Sequence, residues 1–196
     1  MKKFLAIVAA CLLTFTANAQ QQAEGSLSIR PELGLNASSM EGDNASVAKY
    51  RIGFPVVGAE MQYQAKDWLG ISFGLLYAQQ GYKVEGGKAS LGPLTVTADD
   101  KEWKPGYLNV PVLANFYVAP GLALKTGLQP GFLLSKDGSD NANTFNLSLP
   151  VGISYEISNV VLDARYNLGL TDTFKDDNNH WKNSVFQFTV GYRFDL

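Results

Sequence analysis

The chain has 196 residues, 18 of them acidic and 16 basic, with a single cysteine and a single histidine. That balance supplies no basic stripe for nucleic acid, and one cysteine excludes a disulfide framework. Beyond the N-terminal segment no apolar run is long enough for a membrane helix, and an aromatic content of 12% with 19 glycines suits an all-β chain.

Residues 1–19 read as a secretory signal peptide. Lys2 and Lys3 give a positive start, Phe4 to Phe15 an apolar run, and Ala17-Asn18-Ala19 a small-x-small cleavage site before Gln20. A rival reading acylates Cys11 at the end of Val8-Ala9-Ala10-Cys11, but the segment stays apolar well past that cysteine. Cleavage after Ala19 removes the only cysteine. It also removes two of the 16 basic residues, leaving 14 against 18 acidic ones, a formal charge of −4. The remainder, residues 20–196, suits one domain.

Seven segments with period-two alternation follow in chain order, and an eighth ends the chain. The first sets Leu27, Ile29, Leu33 and Leu35 against Ser28, Arg30, Glu32 and Gly34. The second sets Val57, Ala59, Met61 and Tyr63 against Gly58, Glu60, Gln62 and Gln64. The third has Leu69, Ile71, Phe73, Leu75 and Tyr77 on one face, and the fourth Leu108, Val110, Val112, Ala114, Phe116 and Val118. The fifth opposes Leu122, Leu124, Leu128 and Phe132 to Ala123, Lys125, Gly127, Gln129 and Gly131. The sixth opposes Phe145, Leu147, Leu149, Val151, Ile153 and Tyr155 to Asn146, Ser148, Gly152, Ser154 and Glu156. The seventh opposes Val160, Leu162, Ala164, Tyr166, Leu168 and Leu170 to Asp163, Arg165, Asn167 and Gly169. The last runs Phe186, Phe188, Val190, Tyr192, Phe194 and Leu196 against Gln187, Thr189, Gly191, Arg193 and Asp195.

The apolar rows carry no charge, as a lipid-facing surface requires. Arg or Lys there would cost about 2–4 kcal/mol at the bilayer midplane. The opposite rows hold both signs, and buried charges are stable only when paired. A charge network in the lumen is therefore expected from Arg30, Glu32, Glu60, Lys125, Asp163, Arg165 and Arg193, with glycines and serines filling a narrow interior.

Connections alternate in length. Ala65-Lys66-Asp67, Ala119-Pro120-Gly121 and Ile157-Ser158-Asn159 are tight, whereas Asn36–Arg51, Gln79–Lys104, Ser135–Asn143 and Thr171–Asn183 are long and polar. The expected fold is an all-β, eight-stranded antiparallel up-and-down transmembrane β-barrel, with short periplasmic turns and longer extracellular loops. Leu91, Leu94 and Val96 suggest a hairpin above the membrane. Aromatic girdles are expected from Tyr63, Trp68, Phe116, Tyr117 and Tyr155 on the turn side, and from Tyr77, Trp103, Tyr107, Phe132 and Trp181 on the loop side. Pro31, Pro55, Pro111, Pro130 and Pro150 each forfeit a ladder bond, so bulges or strand ends are expected there, most clearly at Phe54-Pro55-Val56-Val57 where the alternation slips. Leu76, Leu113 and Val161 fall on the inward face.

Leu75-Leu76-Tyr77-Ala78-Gln79-Gln80-Gly81-Tyr82, Tyr107-Leu108-Asn109-Val110-Pro111-Val112-Leu113 and Gly191-Tyr192-Arg193-Phe194 resemble the third, fourth and last strands of the outer-membrane β-barrel domain proteins, often labelled porin family. The resemblance spans essentially the whole mature chain. It implies an outer-membrane location in a Gram-negative-type bacterium, contact with outer-membrane lipid, and a monomer. Gly191, Phe194 and Leu196 resemble the C-terminal signal read by the barrel-assembly machinery. None of these stretches is a catalytic motif, so no enzyme activity, cofactor or metal is implied.

Chemistry-bearing candidates are few. His180 lies in a long loop with Asp172 and Ser184 near it in sequence, which gives the thin basis for a lipid hydrolase. Asp137-Gly138-Ser139-Asp140-Asn141 and Asp172–Asp177 offer calcium oxygens without EF-hand spacing. Lys83, Lys88, Lys101 and Lys104 flank the longest loop and could meet lipopolysaccharide phosphates or another extracellular ligand. The expected role is structural or interactive, carried by the loops. The rivals are a narrow pore, an outer-membrane lipid hydrolase, and a soluble lipocalin-like binder with the faces inverted.

Overall fold

The computed structural model describes residues 22–41, 48–49, 51–80, 82–84, 88–91, 94–97, 101–135, 143–172 and 182–196. Eight long strands form one closed sheet. They are β1 Leu27–Glu41, β2 Arg51–Lys66, β3 Leu69–Gln79, β4 in two pieces (Gly106–Asn109 and Val112–Ala119), β5 Leu122–Ser135, β6 Phe145–Ile157, β7 Val160–Asp172 and β8 Lys182–Tyr192, which continues as Phe194–Asp195. Each pairs antiparallel with its sequence neighbours, and β8 closes on β1 with Leu33 opposite Val190. Closure leaves no unpaired edge, the condition for a sheet to lie in hydrocarbon.

The alternation sorts the faces as the residue types require. Phe73 (57% exposed), Leu75, Val151, Phe186 and Val190 point outward, while Arg30, Glu60, Lys125, Asp163 and Arg165 are buried inside. An outward apolar belt over buried ions is the inverse of a lipocalin, whose apolar row would face in. Leu76, Leu113 and Val161 are buried in the lumen.

Two of the five prolines meet the sequence expectation, Pro55 with a bulge and Pro111 at a strand end, and the other three do not. Opposite Pro55 the β1–β2 register shifts between Gly34 and Asn36, and the Phe54–Pro55 peptide is cis. This bulge is the slip in the alternation. At Pro111 the strand breaks, yet the register is unchanged, with Phe73 opposite Val112 and Leu76 opposite Asn109. Gly74 lies beside the Pro111 ring and donates its N–H to the Pro111 carbonyl (2.9 Å). At Pro31, Pro130 and Pro150 the flanking pairs likewise keep one register. A missing donor removes a bond without inserting a residue, so no bulge is needed.

Two girdle assignments are corrected. Tyr107 and Tyr117 point into the lumen, because their neighbours Leu108 and Phe116 take the outward positions. Trp68 and Phe116 stack on the turn side at 6.3 Å, and Phe132 meets Phe145 edge-on at 5.6 Å on the loop side. Trp103 and Trp181 lie outside the residues whose side chains are described.

The three turns are tight, with Gly121 (φ 72°) and Ser158 (φ 57°) supplying left-handed corners. On the other side the strands outrun their apolar rows. β1 pairs with β8 as far as Glu41 opposite Lys182, well past Leu35. Above the barrel, Ala48–Lys49, Tyr82–Val84 and Lys101–Trp103 form a small sheet, and Lys88–Leu91 pairs with Leu94–Thr97 as the expected hairpin.

Candidate functional site: ions and amides in the lumen

Four strands deliver six ionised side chains to one level of the barrel. Arg30 and Glu32 come from β1, Glu60 from β2, Lys125 from β5, and Asp163 with Arg165 from β7. Arg165 Nη2 lies 2.7 Å from Glu60 Oε1, and its Nε donates to Asp163 Oδ1 at 2.8 Å. Lys125 Nζ reaches Asp163 Oδ2 at 2.5 Å and Glu60 Oε2 at 3.3 Å. Arg30 donates to Glu60 and lies within ion-pair range of Glu32 (3.5 Å) and Asp163 (3.8 Å). Thr189 Oγ1 on β8 donates to Glu32 Oε2 at 3.1 Å. Three positive charges meet three negative ones, so the cluster is neutral as a unit. Its side chains are 10% exposed or less. Such a cluster fills the cross-section with paired groups, as expected for eight strands.

Arg193, the seventh residue expected in this network, sits apart. It pairs with Glu156 on β6 and with Asp195 (3.0 Å) toward the turn side. The geometry of the terminal strand explains the separation. The β1–β8 register runs from Glu32 opposite Gly191 to Ile29 opposite Phe194, which sets the buried Arg193 across from Arg30, and its guanidinium turns to the turn-side acids; the Arg30 side chain passes over Gly191, where a Cβ would lie 2.7 Å from Arg30 Cγ. Glu156 and Asp195 stood in the inward rows of the sequence, which was the available signal.

A polar belt, missed at the sequence level, floors the cluster. Gln62 Nε2 donates to Tyr117 Oη (2.7 Å) and to Gln22 Oε1 (2.9 Å), while Asn115 Nδ2 donates to Gln62 Oε1 (3.1 Å). The residues before β1 fold back under the barrel. Gln22 is 6% exposed and donates to Ser28 Oγ (2.5 Å), Gly25 N–H reaches the Gln64 carbonyl (2.7 Å), and Glu24 pairs with Lys66. No hydrophobic pattern marks Gln22, so periodicity could not find it.

Of the remaining candidates, His180, Asp137–Asn141 and residues 173–177 lie outside the described residues, as do the side chains of Asp172, Lys83, Lys88 and Lys101. Lys104 is exposed and Ser184 is 2% exposed. Phe194 and Leu196 face outward, and Leu196 N–H binds the Leu27 carbonyl at 2.9 Å, so the chain's last residue is sewn onto β1. Among the described residues no group of three or more His, Cys, Asp or Glu is arranged to hold a metal.

Solved structures similar to this chain include outer-membrane proteins. Ail, the attachment invasion locus protein of Yersinia pestis, is 18% identical over 88% of this chain and 100% of its own, with a TM-score of 0.50. Neisserial surface protein A is 15% identical over 88% of this chain and 100% of its own, also at 0.50. OprG of Pseudomonas aeruginosa is 12% identical over 89% and 98%, at 0.46. No curated protein matches significantly. The family model for the outer membrane protein beta-barrel domain matches residues 7–194. A closed eight-stranded barrel, a lipid-compatible exterior, an ionic lumen and that match together make this chain a member of the outer membrane protein beta-barrel domain family, located in the outer membrane of a Gram-negative-type cell.

Proposed function

We propose that this barrel is a monomeric, non-enzymatic pedestal whose extracellular loops bind a partner at the cell surface. One observation carries the reading. The ion cluster closes the lumen, while paired structure is added above the membrane in two small sheets. A solute path would have to pass six mutually paired charges, so transport is the weaker reading. Ser184 is buried, which weakens a hydrolase built on it.

The loop sheet favours an anionic partner such as lipopolysaccharide phosphates. Its backbone register sets Lys49 opposite Lys83 and Val84 opposite Lys101, with Lys88 and Lys104 close in sequence. Like charges directly opposite each other are destabilising; Glu102, opposite Lys83 on the other strand, offsets one of them, and the three short strands still carry Lys49, Lys83 and Lys101 against that single acid. Residues 1–19 act as the cleaved leader, and Gly191, Phe194 and Leu196 as the signal for the assembly machinery.

The test is binding of purified lipopolysaccharide to the barrel in nanodiscs, with Lys83→Glu and Lys101→Glu introduced together. Affinity falls at least tenfold and loses its salt dependence if the reading holds. Unchanged binding in the double variant, or steady conductance of the native protein in planar bilayers, refutes it.

A further inference from the structure

Just ahead of β1 the chain reverses direction. The Ser26 N–H reaches the Ala23 carbonyl at 3.1 Å, and Gly25, third of the four residues of this turn, has φ 83°. A type II turn requires a positive φ at that position, and glycine supplies it without strain. The turn sends Gln22 back into the barrel mouth instead of out into solvent. Its Nε2 donates to Ser28 Oγ, its Oε1 accepts from Gln62 Nε2, and the residue is 6% exposed. Behind it lies a recess with room for about one water molecule, lined by Arg30, Glu60, Glu156, Val161 and Arg193. Those residues belong to the barrel wall, and Arg30 and Glu60 are members of the ion cluster. Gln22 alone of the lining residues arrives from outside the wall.

The hold on the turn is light. Gly25 N–H donates to the Gln64 carbonyl (2.7 Å), Gln64 N–H donates to the Ser26 carbonyl (2.9 Å), and Glu24 pairs with Lys66 in solvent. The wall strands, by contrast, are paired on both sides. A segment with so few ties opens before the strands it leans on. We propose that residues 22–26 are a strap that swings away from the barrel as a unit, and that Gln22 at its end is the stopper keeping water off the Arg30–Glu60 side of the ion cluster. Release hydrates the turn end of the lumen while the ions still close the level above. The strap therefore sets access from the turn side and leaves the loop side untouched.

The test is thiol labelling of residues 20–196 folded in nanodiscs. Cys11 is the chain's only cysteine, so no native thiol competes. Val161→Cys places a thiol in the recess, at a position 3% exposed, and methyl methanethiosulfonate reports its access. Gln22→Ala removes the stopper and should speed labelling about tenfold or more. Glu24→Lys sets like charges against Lys66 and should speed it about two- to fivefold, the scale of one exposed ion pair. Adding Lys66→Glu to that variant should restore the slow rate. Ser148→Cys, on the loop side of the Gly152–Lys125 pair, should label at one rate in every background. If Val161→Cys gives no heat-modifiable band, solvent exchange of the Arg30 Nε–H in the cysteine-free chain makes the same comparison, with faster exchange expected in Gln22→Ala. The proposal is overturned by an unchanged rate in Gln22→Ala or Glu24→Lys, or by equal acceleration at Ser148→Cys. A Val161→Cys thiol that labels, with Gln22 in place, as fast as Asp67→Cys on the exposed turn also overturns it.

Discussion

Replacing Lys125 with Met tests the ion cluster most sharply. Lys125 is 3% exposed and pairs with both Asp163 (2.5 Å) and Glu60 (3.3 Å). Its loss leaves two positive charges, Arg30 and Arg165, facing Glu32, Glu60 and Asp163. One uncompensated buried charge of this kind costs about 3–5 kcal/mol. With a urea m-value of about 2 kcal/mol/M, the unfolding midpoint should fall by about 1.5–2.5 M. The assay is urea unfolding from lipid vesicles, followed by loss of the heat-modifiable gel band and by tryptophan fluorescence. Lys125→Met with Asp163→Asn restores neutrality at two charges of each sign. It should be less destabilised than the sum of its parents by at least about 1 kcal/mol, the coupling expected of direct contacts. A single variant costing under about 1 kcal/mol, the scale of an exposed pair, would refute the argument. So would strict additivity in the double variant.

Three further outcomes follow from the exterior, the turns and the close-packed strands. Val151→Arg, on an outward position 49% exposed at the middle of β6, should cost about 2–4 kcal/mol by the same unfolding assay. Gly58→Ala should prevent formation of the folded gel band, because a Cβ there meets the Leu75 carbonyl oxygen and lies 2.8 Å from Leu76 Cα, both on the backbone of β3. Ser158→Asn should raise stability by about 0.5 kcal/mol, since Asn accepts the left-handed corner (φ 57°) more readily than Ser.

The fold was legible because the bilayer imposes a simple code. Outward positions must be apolar and inward ones must pair, so the rows from Leu27 to Leu196 could be read directly. What escaped the code was whatever period two does not encode. Tyr107 and Tyr117 were assigned by composition and proximity to strand ends rather than by parity, and parity put both inside. A proline's lost N–H leaves residue count and register untouched, so of the bulges or strand ends expected at five prolines only Pro55 coincides with a bulge and only Pro111 with a strand end. The inward charges were all visible, yet their grouping was not, because it depends on how strand stagger levels residues from different strands. That stagger sets Arg193 beside Glu156 and leaves Gly191 against Arg30. Gln22 carries no pattern at all and emerges only from three-dimensional proximity.

The six ions have a bearing on how the barrel comes into being. Arg30, Glu32 and Glu60 arrive on the first two strands with a net deficit of one positive charge, while Lys125, Asp163 and Arg165 arrive later with a surplus of one. A half-threaded ribbon can cancel neither remainder, and both vanish only when the seam between first and last strands is zipped. The same side chains that fill the finished lumen thus reach charge balance only in the closed barrel, so their pairing favours closure over any partial sheet.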